Sequence, residues 1–410
     1  MAFILFDPAN RHLLSPLSDT KAFADLRFGI LSIKERWELL LGDEAVVETV
    51  AYLEGLYRPE TVDGRREKED GGSPHSAGQA WTVEEAVLKI NASFIPTNEL
   101  IDAIKDLKPN QYISYKDTFV AGIPSPKNFF EEAIPFSTEL KQIVYPWDII
   151  FLNDAQIRAD FKWVTKGKKS MPLSPTVQVI QSADIFIEEG AKLEFCTLNS
   201  TTGPIYIGKK AEIMEGSSVR GPFSLGEMSV LKMNSRIYGG TSLGPYCMGG
   251  GEIKNAIMMG YSNKAHDGYL GDAVVGEWCN FGAGTTNSNL KNGADNIIMR
   301  TMQISQDEGV SLSDRNEIAV GQKCGVIVGD YTRFAINSTI NTGSMVGVSA
   351  NVFGAGLLPK EMGHFSWGIT GKRYSFERAI HDINNWKKMK GKLLTDAERM
   401  VLEHIFQQSN

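Results

Sequence analysis

Apolar residues in the middle of this chain return at every sixth position. Ile207, Ile213, Val219, Leu225, Leu231, Ile237 and Leu243 keep the interval without a slip, and Val328, Phe334, Ile340, Val346 and Val352 resume it later. Helices repeat near 3.6 residues and strands near 2, so this beat is neither. It predicts a parallel β-helix, in which each hexapeptide forms one side of a triangular coil and its apolar residue points inward. Tyr269, Val275 and Phe281 carry the beat through the stretch from Lys264 to Asn289, where a histidine, a tyrosine and three asparagines stand among closely spaced glycines. Lys291 to Arg315 breaks the pattern and predicts an excursion, a feature that solenoids commonly place on a binding face.

The flanks have other periods. Phe3–Phe6 is short and apolar, as in a buried strand, and Ile33 through Leu41 has helical spacing. Arg58 to Gln79 is polar and predicts an exposed loop, its Arg65-Arg66 pair offset by Glu67, Glu69 and Asp70. Residues 82–123 predict a helix, a strand around Val87 to Ile90, and a helix from Asn98 to Leu107 with Asn98 as its N-cap. Tyr145-Pro146-Trp147-Asp148 and the following Ile149-Ile150-Phe151 read as a docking segment, continued by a helix that includes Ala155 to Phe161. Beyond Gly356, Phe376, Ile380, Ile383 and Trp386 have helical spacing, and Thr395 to Glu398 has capping-box form. These last helices are expected to cap the open end of the solenoid. The predicted organisation is an αβ domain over 1–180, a β-helix over 181–358 and a helical extension over 359–410.

Composition narrows the functional classes. The 410 residues include 40 glycines and carry a net charge of −7, with no long basic run, which argues against nucleic acid as a partner. Cys196, Cys247, Cys279 and Cys324 show no CxxC spacing and read as reduced core thiols of a cytoplasmic protein. The N-terminal MAFILFDPAN lacks the form of a signal peptide, and no run approaches the ~20 apolar residues of a membrane span.

The central stretch resembles a known family. His266, then Tyr269-Leu270-Gly271-Asp272, then Asn280-Phe281-Gly282-Ala283-Gly284-Thr285 and Asn289 are similar to the acetyltransferase half of the bifunctional bacterial enzyme that makes UDP-N-acetylglucosamine for the cell wall. That enzyme joins a glucosamine-1-phosphate acetyltransferase to an N-acetylglucosamine-1-phosphate uridyltransferase. The resemblance implies a left-handed β-helix, a homotrimer, and acetyl transfer from acetyl-CoA to the amine of an amino-sugar phosphate. It makes His266 the general base, a role that suits a histidine near neutral pH. It assigns Arg236 and Lys254 to the sugar phosphate, Tyr269 and Asn280 to the sugar, and Ala283 and Asn289 to the acetyl-CoA side. Lys254 stands 12 residues before His266, and Arg236 a further 18 before that, three hexads away. Leu290 replaces an aromatic residue of the family and Asp295 a lysine. The neighbouring subunit is expected to complete the CoA pocket near Thr332 to Ser338.

A second resemblance lies at the N-terminus. Arg11-His12-Leu13-Leu14-Ser15-Pro16-Leu17-Ser18-Asp19-Thr20-Lys21 is similar to the start of a sugar-phosphate nucleotidyltransferase, and implies a Rossmann-like domain. The family's glycine-rich phosphate loop is replaced by Asp7-Pro8-Ala9-Asn10-Arg11, and Phe23 stands where its lysine is expected. Arg11 and Lys21 would then carry the nucleotide phosphate contacts, with UTP or dTTP and Mg²⁺ as reactants; no metal ligands are assigned. Two other readings remain from sequence: a nucleotidyltransferase whose β-helix only oligomerises it, and a non-catalytic sugar-nucleotide binding protein.

Overall fold

The computed structural model describes residues 2–57, 87–125, 130–302 and 317–409. The expected loop over 58–79, the helix beginning at 82 and part of the excursion lie outside the described residues.

The N-terminal part is a six-stranded mixed sheet. Its strands are β1 (Phe3–Phe6), β2 (Ala45–Glu48), β3 (Lys89–Asn91), β4 (Gln111–Tyr115), β5 (Thr118–Gly122) and β6 (Glu132–Pro135), in the order β2-β1-β3-β5-β4-β6. β1 is parallel to β2 and β3, whereas β5 runs antiparallel to β3 and β4, so only half of the sheet is of Rossmann type. Helix α1 (Ile33–Leu41) starts at a capping box between Ser32 and Glu35 and stops at Gly42, whose φ of 79° is left-handed. Helix α2 (Asn98–Lys105) corrects one expectation: Thr97, not Asn98, is the N-cap, its hydroxyl accepting from the Leu100 amide. The predicted helix around Ala155 is longer than expected and forms α3 (Asp148–Thr165). It is bolted to α1 by Arg36, fully buried and 2.8 Å from Asp160.

From Gln178 onward the chain is a parallel β-solenoid with three faces. Every member of the two six-residue runs is buried, in an apolar column down the axis. Truncating one such leucine to alanine costs about 2–5 kcal/mol. Between the runs the coil shortens. Val219 pairs with Ile237 on an 18-residue coil, but Ile237 pairs with Ile253 and Ile253 with Leu270. The cause is two nine-residue strands, Glu252–Gly260 and Tyr269–Glu277, which turn a corner unbroken through Asn255 and Asp272, both at φ 46°. As a result Leu270, 1% exposed, takes the inward place expected of Tyr269, and the tyrosine faces outward. The excursion after Lys291 returns as an antiparallel hairpin, Ile298–Arg300 with Glu317–Ala319.

Two of the three faces are covered. Ile257, Met259, Val274 and Ile327 of the second face share one core with Trp147 and Ile149, as the docking segment predicts. Helices α4 (Phe376–Lys388) and α5 (Asp396–Gln408) pack on Phe365 of the last coil. They also run further along the corner than a cap would. There Tyr246, Tyr261 and Trp278 stack at 4.9 and 4.2 Å, Lys387 stands over Trp278, and Lys390 donates to the Tyr246 carbonyl.

Candidate active site on the open face

The first face of the solenoid carries Arg236, Lys254 and Tyr269 on its outer side. Arg236 is in register with Glu252, and Glu252 with Tyr269, while Lys254 is in register with Gly271. Arg236 and Lys254 therefore lie on one side in consecutive coils, as their spacing predicts, two residues apart along the strand. The Lys254 ammonium stands 6.0 Å over the Tyr238 ring. Arg236 is 52% exposed and reaches both Glu252 and Asp267 at 3.9 Å. Exposed pairs at that limit contribute about 0–1 kcal/mol, so an incoming anion exchanges for them readily.

The Tyr-Leu-Gly-Asp sequence has a part for each residue. Leu270 enters the column. Tyr269 lies across Gly271: a Cβ there would meet the phenol oxygen at 2.2 Å, so no other residue leaves the ring this path. The Asn289 amide donates to the Tyr269 oxygen at 3.0 Å and to Asp272 at 2.5 Å, and Asn255 donates to Asp272 from the coil below. Burial, aided by Asp272, pushes the Tyr269 phenol up to about 12, so it stays protonated and polar at neutral pH.

His266 is exposed, on the turn that joins the third face to the first. Asp267, beside it, is the residue that reaches Arg236. Ala283 is exposed on the turn of the next coil, where the Gly284 amide donates to the Asp267 carbonyl at 3.1 Å. His266, Arg236, Lys254, Tyr269, Ala283 and Asn289 thus occupy neighbouring coils of one face and its two corners. Asn280 does not join them. It lies on the third face between Asn263, which Lys390 contacts, and Arg333, which sits over Trp386 of α4. One residue that sequence reasoning passed over belongs here: Lys264, buried beneath the histidine turn, which a shortened coil brings into register with Gly249. No count of six reaches it.

Arg11 and Lys21 are elsewhere and are engaged. Arg11 donates to Asp7, to the Tyr52 hydroxyl and to the carbonyls of Ser18 and Lys21. Lys21 crosses to the solenoid, 2.9 Å from Asp330 and 3.2 Å from Glu277. Burial pulls its pKa down, but those two carboxylates outweigh burial and hold the ammonium above its ordinary value. Thr20 bonds Asp330 at 2.6 Å, and Asp19 lies 3.6 Å from His364 of the last coils. A cavity of about 450 Å³ opens beside Lys21, walled by Arg27 and Lys34 and by Asp25, Glu35, Glu277 and Glu398 as well. Among the described residues no group of three or more His, Cys, Asp or Glu side chains is placed to hold a metal ion. Asp7 accepts from Arg11, Thr49 and the Phe23 amide.

All four cysteines are free and buried. Burial pushes the Cys247 thiol up to about 12, which makes it inert rather than nucleophilic.

An αβ domain docked on a solenoid with one open face defines a two-part architecture. Residues 3–169 match the family model described as sugar nucleotidyl transferase. Relatives with both halves are also found. A bifunctional sugar-1-phosphate nucleotidylyltransferase/acetyltransferase of Sulfurisphaera tokodaii is 28% identical over 113 residues, 28% of this chain and 25% of that protein. The bifunctional protein GlmU of Methanococcus vannielii is 31% identical over 108 residues, 26% of this chain and 23% of the relative. The matched stretches thus span about a quarter of the relatives' length. The resemblance read from the motifs holds at low identity. Among solved structures, the polysialic acid O-acetyltransferase OatWY matches 46% of this chain and 77% of its own at 16% identity, with a TM-score of 0.17 that leaves the likeness without weight. No helix among the described residues is long and apolar enough to cross a membrane.

Proposed function

We propose that this protein is an acetyl-CoA-dependent N-acetyltransferase of amino-sugar 1-phosphates, acting in sugar-nucleotide synthesis, with its active centre on the open face of the solenoid. What supports this reading is that Arg236, Lys254 and Tyr269 share the outer side of one face and His266 stands on the turn leading into it. Arg236 and Lys254 grip the phosphate, and Tyr269 supports the sugar ring. The amine nitrogen attacks the thioester carbonyl of acetyl-CoA, His266 takes the proton that nitrogen sheds, and the CoA thiolate leaves. Ala283 and Asn289 lie on the acyl-donor side.

Asn280, on the third face, is separate from this group within one chain. The homotrimer, with the acyl-donor pocket completed between protomers, is proposed on the resemblance of the central motif. Sedimentation at micromolar concentration should give three chains per particle; an active monomer contradicts this part.

A second reading, sugar-1-phosphate nucleotidyl transfer in the N-terminal domain, is favoured by the family match over 3–169. When bound, Mg²⁺ would neutralise the nucleotide phosphates. The pairing of Lys21 with Asp330 and Glu277 speaks against its role as a phosphate contact. A two-part assay separates the readings: thiol release from acetyl-CoA, and pyrophosphate release with UTP or dTTP, each against a panel of sugar phosphates. Thiol release without pyrophosphate supports the first; the reverse result makes the solenoid a scaffold. Binding without either product identifies a sugar-nucleotide binding protein.

A further inference from the structure

A lysine occupies the interior of the coil that carries His266. Lys264 is 1% exposed and lies on the third face in register with Gly249, which follows Leu231 of the apolar column. An ammonium group in such a place must find acceptors or lose its charge. It finds two: Nζ donates to the Gly250 carbonyl at 3.1 Å and to the carbonyl of His266.

Those carbonyls belong to successive coils at one corner. Bare backbone brings them together. A Cβ on Gly250 would stand 2.2 Å from the Ala265 oxygen, and one on Gly251, at φ 71°, 3.0 Å from the His266 oxygen. From above, the Gly284 amide holds Asp267. The side-chain contact to this turn from inside the solenoid is Lys264.

We propose that Lys264 is a positioning residue for His266: its ammonium group fixes the His266 carbonyl from within the solenoid and so sets the direction of the imidazole toward the open face. This rests on the reading of His266 as the base. Burial lowers the Lys264 pKa to about 8; Asp267 opposes that, and Arg236 adds to it. Glu252 faces the same group through Arg236. An anion on Arg236 offsets its repulsion of Lys264, so acceptor binding favours the charged lysine and the held turn.

The test uses the full chain, with glucosamine 1-phosphate and acetyl-CoA as probes. Lys264→Met keeps length and removes charge. Its kcat should fall about 10–100-fold with little change in acceptor KM, the loss that misplacing a catalytic group by an ångström brings. In ¹³C-histidine spectra the His266 resonance, identified by its absence from His266→Ala, should shift or broaden in Lys264→Met while the other histidines stay in place. In the wild type the same resonance should show an inflection near pH 8 that the variant lacks. A variant with wild-type kcat and an unmoved His266 resonance overturns the proposal. If Lys264→Met fails to fold, Lys264→Gln, which lacks the charge but keeps a donor, takes its place: a lowered kcat with a moved His266 resonance supports the proposal, and wild-type values of both overturn it. His266→Ala with undiminished thiol release removes the acetyltransferase reading instead, and the spectra still decide the placement of Lys264.

Discussion

Single residues explain why the central motif reads as it does. Gly271 is bare because the Tyr269 ring crosses it, and Asp272 is acidic because Asn255 and Asn289 both donate to it. The motif itself was legible in the sequence, as was the pairing of Arg236 and Lys254 on one side. What was not legible was which residue of Tyr269-Leu270 faces inward, because a strict count of six does not register a shortened coil. Lys264 escaped notice for the same reason: shortened coils carry it to an inward place that a count of six does not reach, and only the fold shows its carbonyl acceptors. Its lowered pKa has a thermodynamic consequence. The unfolded chain protonates this lysine up to its ordinary value of 10.5, the folded chain only to about 8. Between those values the unfolded state binds more protons, so stability gained from this group rises with pH. The stability of the wild type relative to Lys264→Met should therefore improve by about 3 kcal/mol from pH 8 to 10.5. Denaturant titrations of both proteins at several pH values check this; a gap that stays constant contradicts it.

Among elements, the periodic ones were read best. The inward column followed from hexads alone, α1 from the spacing of its apolar residues and α5 from its capping box, since local sequence decides all three. Element ends and roles depended on tertiary partners. Thr97 caps α2 in place of Asn98, and the C-terminal pair follows an aromatic corner because Tyr246, Tyr261 and Trp278 offer it a continuous apolar and π-electron surface. Two substitutions test this docking. Thr395→Ala removes the α5 cap and should cost about 0.5–2 kcal/mol, whereas Trp278→Ala removes the surface under Lys387 and should cost about 3–5 kcal/mol. Thermal unfolding that ranks the two in the opposite order contradicts the corner packing.

At the scale of the whole molecule, the N-terminal domain, the solenoid and the helical pair meet around Lys21, Asp330 and Glu277. Sequence similarity pointed to Arg11 and Lys21 as phosphate contacts; that reading did not foresee the partners of Lys21, because charge pairing between domains leaves no local pattern. The absence of glycine from Asp7 to Arg11 was the visible hint. Asp330→Ala strips Lys21, Thr20 and the Glu277 amide of an acceptor, and should destabilise the chain by about 3–5 kcal/mol, as breaking a buried ion pair does. Calorimetry showing an unchanged transition contradicts this account of the domain junction. The same burial means that a loss of pyrophosphate release in Lys21→Ala speaks for the nucleotide reading only if the fold is intact. The open face is the surface this packing leaves for chemistry, and its central claim is the proton transfer assigned to His266. The most direct measurement is thiol release from acetyl-CoA with an amino-sugar 1-phosphate, comparing wild type and His266→Ala at matched melting temperature. The account predicts a kcat about 10²–10⁴-fold lower in the variant, with Arg236→Ala and Lys254→Ala raising acceptor KM instead; wild-type turnover by a folded His266→Ala protein contradicts it.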